Sequence, residues 1–347
     1  MSVHPKTRAV VGGLLVSAAG GALFAWLRTP LPWMMGSLLA MAFVQIAGAK
    51  LDSVPFGRES GLVIVGINLG LYFTPPVARE VAQYGLYFVA LGFAALFIGA
   101  LSAAVLERMA GVDHATAFFG SMPGGAAEMA MMGERHGALS DRVAFSHSMR
   151  MLLVVTLFPT AITLAGFSAT EDYRPVAVPF DAAGFAILAA LAASGGAIAK
   201  RFNVPTAYMM GPLVVTISLT MSGVSLSSVP SPLTNAAQVL LGCVMGSKFE
   251  RSFLSAAPRF VMALIPSVVL TLVLAAVVGW GISALSGAYL GTALLSAAPG
   301  GIAEMSITAK VLRIGVAFVT AAHIIRYAIV VLFAAIAFRL LARRRLR

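Results

Sequence analysis

Charged side chains are scarce in this sequence: Asp, Glu, Lys and Arg together make up 11% of its 347 residues, whereas hydrophobic residues make up 59%. With a mean hydropathy of +0.93, the chain has too little polar surface to cover a water-soluble globule of this size. Cysteine occurs once, at Cys243, which excludes a disulfide within the chain. The composition therefore predicts an integral membrane protein whose main partner is the lipid bilayer.

Motifs that bind cofactors, metals or nucleic acid are also missing. There is no phosphate-binding loop, nucleophile elbow or dinucleotide fingerprint in a usable context, and the histidines lack the spacing of a metal site. The net charge of +11 is not gathered into a basic segment outside the hydrophobic runs. We therefore expect no cofactor, no metal ligands and no nucleic-acid partner.

What the chain does contain is one motif written twice. The segment Pro123–Met129 (PGGAAEM) returns as Pro299–Met305 (PGGIAEM), 176 residues later. A His-x-x-Arg pair follows each motif, again separated by 176 residues. Repetition at a fixed period indicates a duplicated architecture.

Each copy of the repeat contains six apolar segments, many of them near the roughly 20 residues that a membrane-spanning helix needs. They lie at about residues 10–27, 33–49, 60–74, 82–106, 114–133 and 143–167, then at 184–199, 206–222, 235–249, 260–284, 289–309 and 315–338. A polar, proline-marked stretch separates the two sets. We predict a first membrane repeat over residues 1–170, a connector over 171–182 and a second repeat over 183–347.

The basic residues predict which segments cross the membrane. If all twelve segments crossed, the loop Lys and Arg residues would divide equally between the two sides. If the fifth segment of each copy is re-entrant, 17 of the 24 basic residues fall on one side and 5 on the other, with two inside helices. Basic loops stay cytoplasmic, which favours ten crossings in the inner membrane with both termini cytoplasmic. Five crossings per copy is an odd number, so the two repeats are predicted to be inverted.

The fifth segment of each copy is interrupted by Pro-Gly-Gly and carries a glutamate, Glu128 or Glu304, three residues after the break. Non-helical backbone is tolerated in a membrane only where protein or a water-filled cavity covers it. Broken or re-entrant helices therefore mark a candidate binding cavity, with helix ends that face a substrate or ion. The glycines whose amides are freed there are Gly124, Gly125, Gly300 and Gly301.

The sixth segment of each copy carries a histidine and an arginine one helical turn apart, and therefore on one face. These residues are His147, Arg150, His323 and Arg326. An uncompensated charge in a span costs at least about 2.5 kcal/mol. For the arginines, a structural ion pair with Glu128 and Glu304 and the binding of an anionic substrate both stay open. For the histidines, interior packing and a proton-relay or substrate role are favoured over metal ligation.

One polar residue departs from the repeat. Asn68 lies in the third segment, where the second copy has Val244. Amide side chains in a membrane interior commonly hydrogen-bond a neighbouring helix. We expect such a bond for Asn68, and a pore-lining position is the alternative.

The doubled PGGxxEM motif with its following His-x-x-Arg resembles the bacterial integral membrane AbrB family over nearly the whole chain. Members of that family are usually labelled as ammonia monooxygenases or as regulators of gene expression. An oxygenase needs a metal or organic cofactor, for which two His and two Glu without a recognisable spacing are a poor ligand set. A regulator acting directly would need a basic element that reads DNA. The resemblance implies a two-copy membrane domain and, by analogy of fold, a link to secondary transporters with crossed broken helices.

The sequence therefore predicts an all-α polytopic membrane protein that acts as a secondary transporter of a small solute. Glu128 and Glu304 would bind the coupling proton or cation. A membrane sensor that regulates gene expression through a partner is the alternative, and a membrane-bound monooxygenase is least favoured. A homo-oligomer is compatible with each of these functions.

Overall fold

The computed structural model describes residues 5–167, 178–249, 251, 255 and 257–345, which form helices and no strand. In the first copy the helices are α1 Pro5–Trp26, α2 Pro32–Ile46, α3 Gly57–Gly70, α4 Pro75–Gln83, α5 Gly85–Ala110, α6 His114–Ser121, α7 Ala126–Glu134 and α8 Ser140–Leu164. In the second copy they are α9 Ala182–Arg201, α10 Ala207–Met221, α11 Ser231–Gly246, α12 Pro258–Ser286, α13 Leu290–Ala297, α14 Ile302–Leu312 and α15 Val316–Arg345. Residues 171–177 of the predicted connector lie outside the described residues.

All twelve predicted apolar segments are helical, and the fifth segment of each copy is broken in two as expected. Six of the described helices are long and apolar enough to cross a membrane: α1, α5, α8, α9, α12 and α15. Helices α3 and α4 together form a further apolar pair bent by 91°. The chain is therefore a helical membrane protein, and the count of ten crossings stays a prediction.

Helix α4 was not predicted from the sequence. Its nine residues begin with two prolines. Proline fits the first turn of a helix because amide groups there have no partner within the helix, so its missing N–H costs no hydrogen bond. Val77 is buried, whereas most of the remaining side chains are polar or exposed. The segment is too short and too polar for the hydropathy pattern to reveal it.

The helices group into two compact units, and each unit combines equivalent helices of both copies. The first unit contains α1–α3 and α9–α11, together with residues 310–317. The second unit contains α5–α8, α12, α13, the first part of α14 and most of α15. The compact units therefore cut across the predicted repeats, because each repeat contributes its first three segments to one unit and its last three to the other.

Within the first unit, glycines bring backbones into direct contact. A Cβ atom on Gly36 would lie 2.2 Å from the carbonyl oxygen of Gly20, which pairs α1 with α2. The second copy repeats this contact, since a Cβ atom on Gly211 would lie 2.3 Å from the carbonyl oxygen of Gly195. Small residues at these positions permit the close helix packing typical of membrane proteins.

The third helix of each copy packs on the second helix of the other copy. A Cβ atom on Gly66 in α3 would lie 2.7 Å from the Met209 carbonyl oxygen in α10. Reciprocally, a Cβ atom on Gly242 in α11 would lie 2.8 Å from the Met34 carbonyl oxygen in α2. This exchange joins the two copies into one unit, so neither copy's first three helices pack only among themselves.

The second unit also joins the two copies through buried contacts. The rings of Phe88 in α5 and Phe318 in α15 meet edge to face with centroids 4.7 Å apart. The hydroxyl groups of Ser102 in α5 and Thr271 in α12 form a buried hydrogen bond of 2.7 Å. In the sequence, each broken helix lies between two of the long helices of this unit: α6 and α7 between α5 and α8, and α13 and α14 between α12 and α15.

Candidate functional site

The helix breaks arise from backbone chemistry at the Pro-Gly-Gly sequence. Helix α6 ends at Ser121, and α7 begins at Ala126 with Gly125 in an extended N-cap conformation. Pro123 has no amide hydrogen and cannot continue a helical ladder. The break leaves carbonyl groups at the end of α6 and amide groups at the start of α7 without helical partners. The residues around the break must compensate both ends.

The second glycine of each motif makes room for the glutamate. A Cβ atom on Gly125 would lie only 2.0 Å from Oε2 of Glu128, and one on Gly301 would lie 2.0 Å from Oε2 of Glu304. Each carboxylate therefore folds back over the N-cap of its own half-helix, where the helix dipole favours negative charge. Any larger residue at the second glycine would displace the carboxylate.

The first glycine of each motif makes room for the methionine. A Cβ atom on Gly124 would lie 2.9 Å from the side chain of Met129, and one on Gly300 would lie 2.7 Å from that of Met305. Both methionines are fully buried. The spacing of PGGxxEM thus follows from packing: the proline breaks the helix, one glycine admits the methionine and the other admits the glutamate.

In the first copy, His147 and Arg150 hold the free carbonyl end of α6. Arg150 donates from Nη1 to the carbonyl oxygens of Met122 at 2.8 Å and Ser121 at 3.4 Å. His147 Nε2 lies 3.0 Å from the carbonyl oxygen of Phe119, and Arg150 Nη2 lies 2.8 Å from His147 Nδ1. Because a guanidinium group only donates, Nδ1 accepts and Nε2 donates, which fits a neutral imidazole.

The second copy repeats this arrangement at the end of α13, with one difference. Arg326 donates to the carbonyl oxygens of Ala298 and Gly300, and His323 Nε2 lies 2.9 Å from the carbonyl oxygen of Leu295. Nδ1 of His323 is buried and has no hydrogen-bond partner among the described residues. The predicted pairing of each His with its Arg on one helix face is therefore seen, although only the first copy shows the direct bond.

The described hydrogen bonds of the two arginines go to the ends of the half-helices. Arg150 donates to carbonyl oxygens and to His147, and Arg326 donates to carbonyl oxygens. The physical reason is that the end of a half-helix presents several unpaired carbonyl groups and the negative end of a dipole, which together accept a guanidinium group. Binding of an anionic substrate by the arginines stays a prediction.

Each break also contacts the sixth segment of the other copy. The Tyr327 hydroxyl oxygen in α15 lies 3.1 Å from the position of a Cβ atom on Gly125, and the Met151 methyl group in α8 lies 3.2 Å from that of Gly301. Met151 and Tyr327 occupy equivalent positions, one residue after each arginine. All ten predicted site residues lie in the second unit. Sequence analysis missed Met151 and Tyr327, although their shared position in the repeat is a signal that could have found them.

The two glutamates differ in their surroundings. Glu128 is partly exposed, and none of the described residues forms a hydrogen bond or an ion pair with its carboxylate. Glu304 is 9% exposed. The first copy therefore offers the more accessible carboxylate of the pair.

Residues of the site do not fit a metal centre. In the part of the chain that the structure describes, no three His, Cys, Asp or Glu side chains come close enough to hold a metal ion. Both ring nitrogens of His147 are already engaged with protein groups.

Comparison with known proteins agrees with the motif and the fold. A family model described as "Transition state regulatory protein AbrB" matches residues 33–342. A protein of Bacillus subtilis (strain 168) named "Uncharacterized protein YhjN" is 28% identical, over 92% of this chain and 89% of the relative. A protein of Escherichia coli (strain K12) named "Putative regulator AbrB" is 23% identical, over 87% of this chain and 88% of the relative. Because the family model covers most of the chain, this membrane protein belongs to the AbrB family.

Proposed function

We propose that this protein is a secondary transporter of a small solute, driven by a coupled proton or cation. The observation that carries the proposal is the Glu128 carboxylate, which lies over Gly125 at a helix break without a hydrogen-bond partner among the described residues. An ionisable group inside a membrane protein is costly, and its usual compensation is a partner or a function. A partly exposed carboxylate at a helix break can bind a proton or a metal cation reversibly.

The arginines support this role for the glutamate. Arg150 and Arg326 are engaged with the carbonyl ends of α6 and α13, so they stabilise the breaks. The carboxylates lie at the opposite, amide-rich ends of the breaks, over the N-caps of α7 and α14. The helix dipole there reduces the cost of the ionised carboxylate.

We infer that the two repeats are inverted, with five crossings and one broken helix each. The distribution of basic residues over the loops favours this topology, and the reciprocal contacts of Gly125 with Tyr327 and of Gly301 with Met151 support it. In an inverted repeat, broken helices enter from opposite sides and their tips meet near the midplane. Alternating access would then expose one site to each side in turn, in an inner-membrane protein with cytoplasmic termini.

The proposal is tested by solute exchange with the purified full chain in liposomes. Wild-type, Glu128→Gln and Glu134→Gln proteins are reconstituted, the vesicles are loaded with a bacterial metabolite extract, and an inward proton or sodium gradient is imposed. Glu134 is the matched control because it lies in the same helix, α7, but is exposed. We expect gradient-driven exchange of at least one solute by wild type and Glu134→Gln and its loss in Glu128→Gln. Undiminished exchange by Glu128→Gln would remove this carboxylate from the mechanism.

A membrane sensor that acts through a partner is the second candidate, and the names of the family model and of the Escherichia coli relative favour it. In that case the broken helices would form a ligand-sensing site rather than a transport site. Crosslinking in intact cells followed by purification distinguishes the two functions. One stoichiometric cytoplasmic partner, together with the absence of exchange for any solute, would support the sensor.

A further inference from the structure

A second polar cluster lies in the first unit and joins α3, α11 and the end of α14. Lys310 Nζ donates a hydrogen bond of 2.6 Å to Oδ1 of Asn68. The amide nitrogen of Asn68 donates one of 2.9 Å to the Thr234 hydroxyl group. Asn68 and Thr234 are 6% and 7% exposed. The interhelical hydrogen bond expected of Asn68 is therefore present, and it directs the amide oxygen at an ammonium group.

The charge of Lys310 is not balanced by the part of the protein that the structure describes. Lys310 is partly buried, and no described carboxylate forms an ion pair with its ammonium group. An ammonium group has three N–H donors, of which the Asn68 oxygen accepts one. A charge removed from water without a counter-charge is costly, so an anion at this position would stabilise the protein.

Because the chain is duplicated, Lys310 and Asn68 can each be compared with the equivalent position in the other copy. The positions equivalent to Lys310 and Asn68 in the other copy are Glu134, which is exposed, and Val244. The first copy builds the same broken helix, and the second copy the same third helix, without a lysine–asparagine pair. The fold therefore does not require the pair, and its presence in only one place indicates a function.

We propose that Lys310 and Asn68 form a binding site for a small anion, either an inorganic oxyanion or a carboxylate. The site offers only hydrogen-bond donors: two remaining N–H groups of the ammonium group and the second N–H of the Asn68 amide. The ligand must therefore be a hydrogen-bond acceptor. The positive charge selects an anion over a neutral acceptor. This site belongs to the first unit and does not depend on the proposed transport through Glu128.

Cys243 provides a direct assay, because it is the only cysteine of the chain and is fully buried in α11 of the first unit. Thermal unfolding of the detergent-purified full chain is followed with a maleimide dye that fluoresces when it reacts with this thiol. The probes are the sodium salts of sulfate, phosphate, acetate and succinate, titrated at constant ionic strength against sodium chloride. A parallel titration with phosphatidylglycerol in mixed micelles tests whether a lipid headgroup supplies the anion.

We expect at least one probe to raise the unfolding temperature of wild type by about 3 °C in a saturable way. Lys310→Met should lose this rise, and Lys310→Arg should keep it. Glu134→Gln, at the equivalent position of the other copy, should behave as wild type. Asn68→Asp is a second variant, and it should fold because the new carboxylate would neutralise the Lys310 ammonium group. With that charge neutralised, the variant should no longer be stabilised by added anions. Stabilisation by phosphatidylglycerol alone, lost in Lys310→Met, also supports the site and assigns its anion to a lipid.

Two results would overturn the proposal. One is that no free anion and no anionic lipid stabilises wild type in a saturable way. A Lys310 amine that is neutral in the folded protein would give this result. The other is an equal response in wild type, Lys310→Met and Asn68→Asp, which would place anion binding elsewhere.

Discussion

Alanine substitutions of Gly124 and Gly125, made one at a time, should separate an effect on the free energy of unfolding from an effect on the position of the Glu128 carboxylate. The backbone of Gly125 has φ −71° and ψ 141°, a conformation that alanine adopts without strain. Gly125→Ala should therefore leave the free energy of unfolding unchanged or raise it by about 0.4–1 kcal/mol, through a smaller entropy of the unfolded chain. The new methyl group, however, occupies the place of the Glu128 carboxylate.

The expected displacement can be read from the structure. The Cβ atom would lie 2.0 Å from Oε2 of Glu128, so the carboxylate must move by more than about 1 Å to reach an ordinary contact distance. A misplacement of this size at a reacting or binding group costs about 100-fold in rate. Because Glu128 is partly exposed, its side chain can move without destabilising the fold.

Gly124→Ala should give the opposite result. Its Cβ atom would press on the buried Met129 side chain at 2.9–3.1 Å, and overpacking of this kind costs about 1–3 kcal/mol. The assay combines thermal unfolding, followed by circular dichroism, with gradient-driven solute exchange. Gly281→Ala is the control, since nothing lies within 4 Å of a Cβ atom there. Equal destabilisation by both substitutions, or full exchange by Gly125→Ala, would refute this reasoning.

Three further substitutions test the frame of the site through the free energy of unfolding. Arg326→Met should destabilise the protein by about 2–5 kcal/mol, because buried carbonyl groups lose their donor. Arg339 is exposed, so Arg339→Met should change the free energy of unfolding little. Similar values for the two variants would contradict the capping role of Arg326. Asp113→Ala should cost about 1 kcal/mol, since Asp113 accepts a 2.7 Å hydrogen bond from the first turn of α6; an unchanged stability would show that this cap is dispensable. Gly36→Val should cost at least about 2 kcal/mol, because its Cβ atom would overlap the Gly20 carbonyl group; normal stability would show that α1 and α2 can separate there.

The sequence predicts much of this fold because membrane helices have a strong local signal. All twelve apolar segments and both breaks follow from hydropathy and from the proline and glycine positions. The assembly of equivalent helices from both copies into one unit does not follow, since it depends on packing between distant segments such as Gly66 on Met209. Helix α4 also escapes prediction because nine residues with mixed polarity carry little signal.

For the site, residue type was easier to predict than role. A charge within an apolar segment identifies Glu128 and Arg150 as exceptional. Sequence cannot show that Arg150 binds the end of α6 rather than a glutamate, because backbone carbonyl groups occur at every residue and their availability depends on where the helix stops. The difference between Glu128 and Glu304 is likewise hidden, since the surrounding motif is nearly the same in both copies.

The orientation of the two repeats in the membrane is the claim on which alternating access depends most directly. Arg135 and Val311 are exposed residues at equivalent positions, each at the end of a broken helix. Arg135→Cys and Val311→Cys are introduced separately into a Cys243→Ala chain and labelled in intact cells and inverted vesicles with a membrane-impermeant maleimide. Inverted repeats predict that the cysteine at position 135 reacts only from the cytoplasmic side and the one at position 311 only from the opposite side. Labelling of both from the same side would contradict the inverted arrangement.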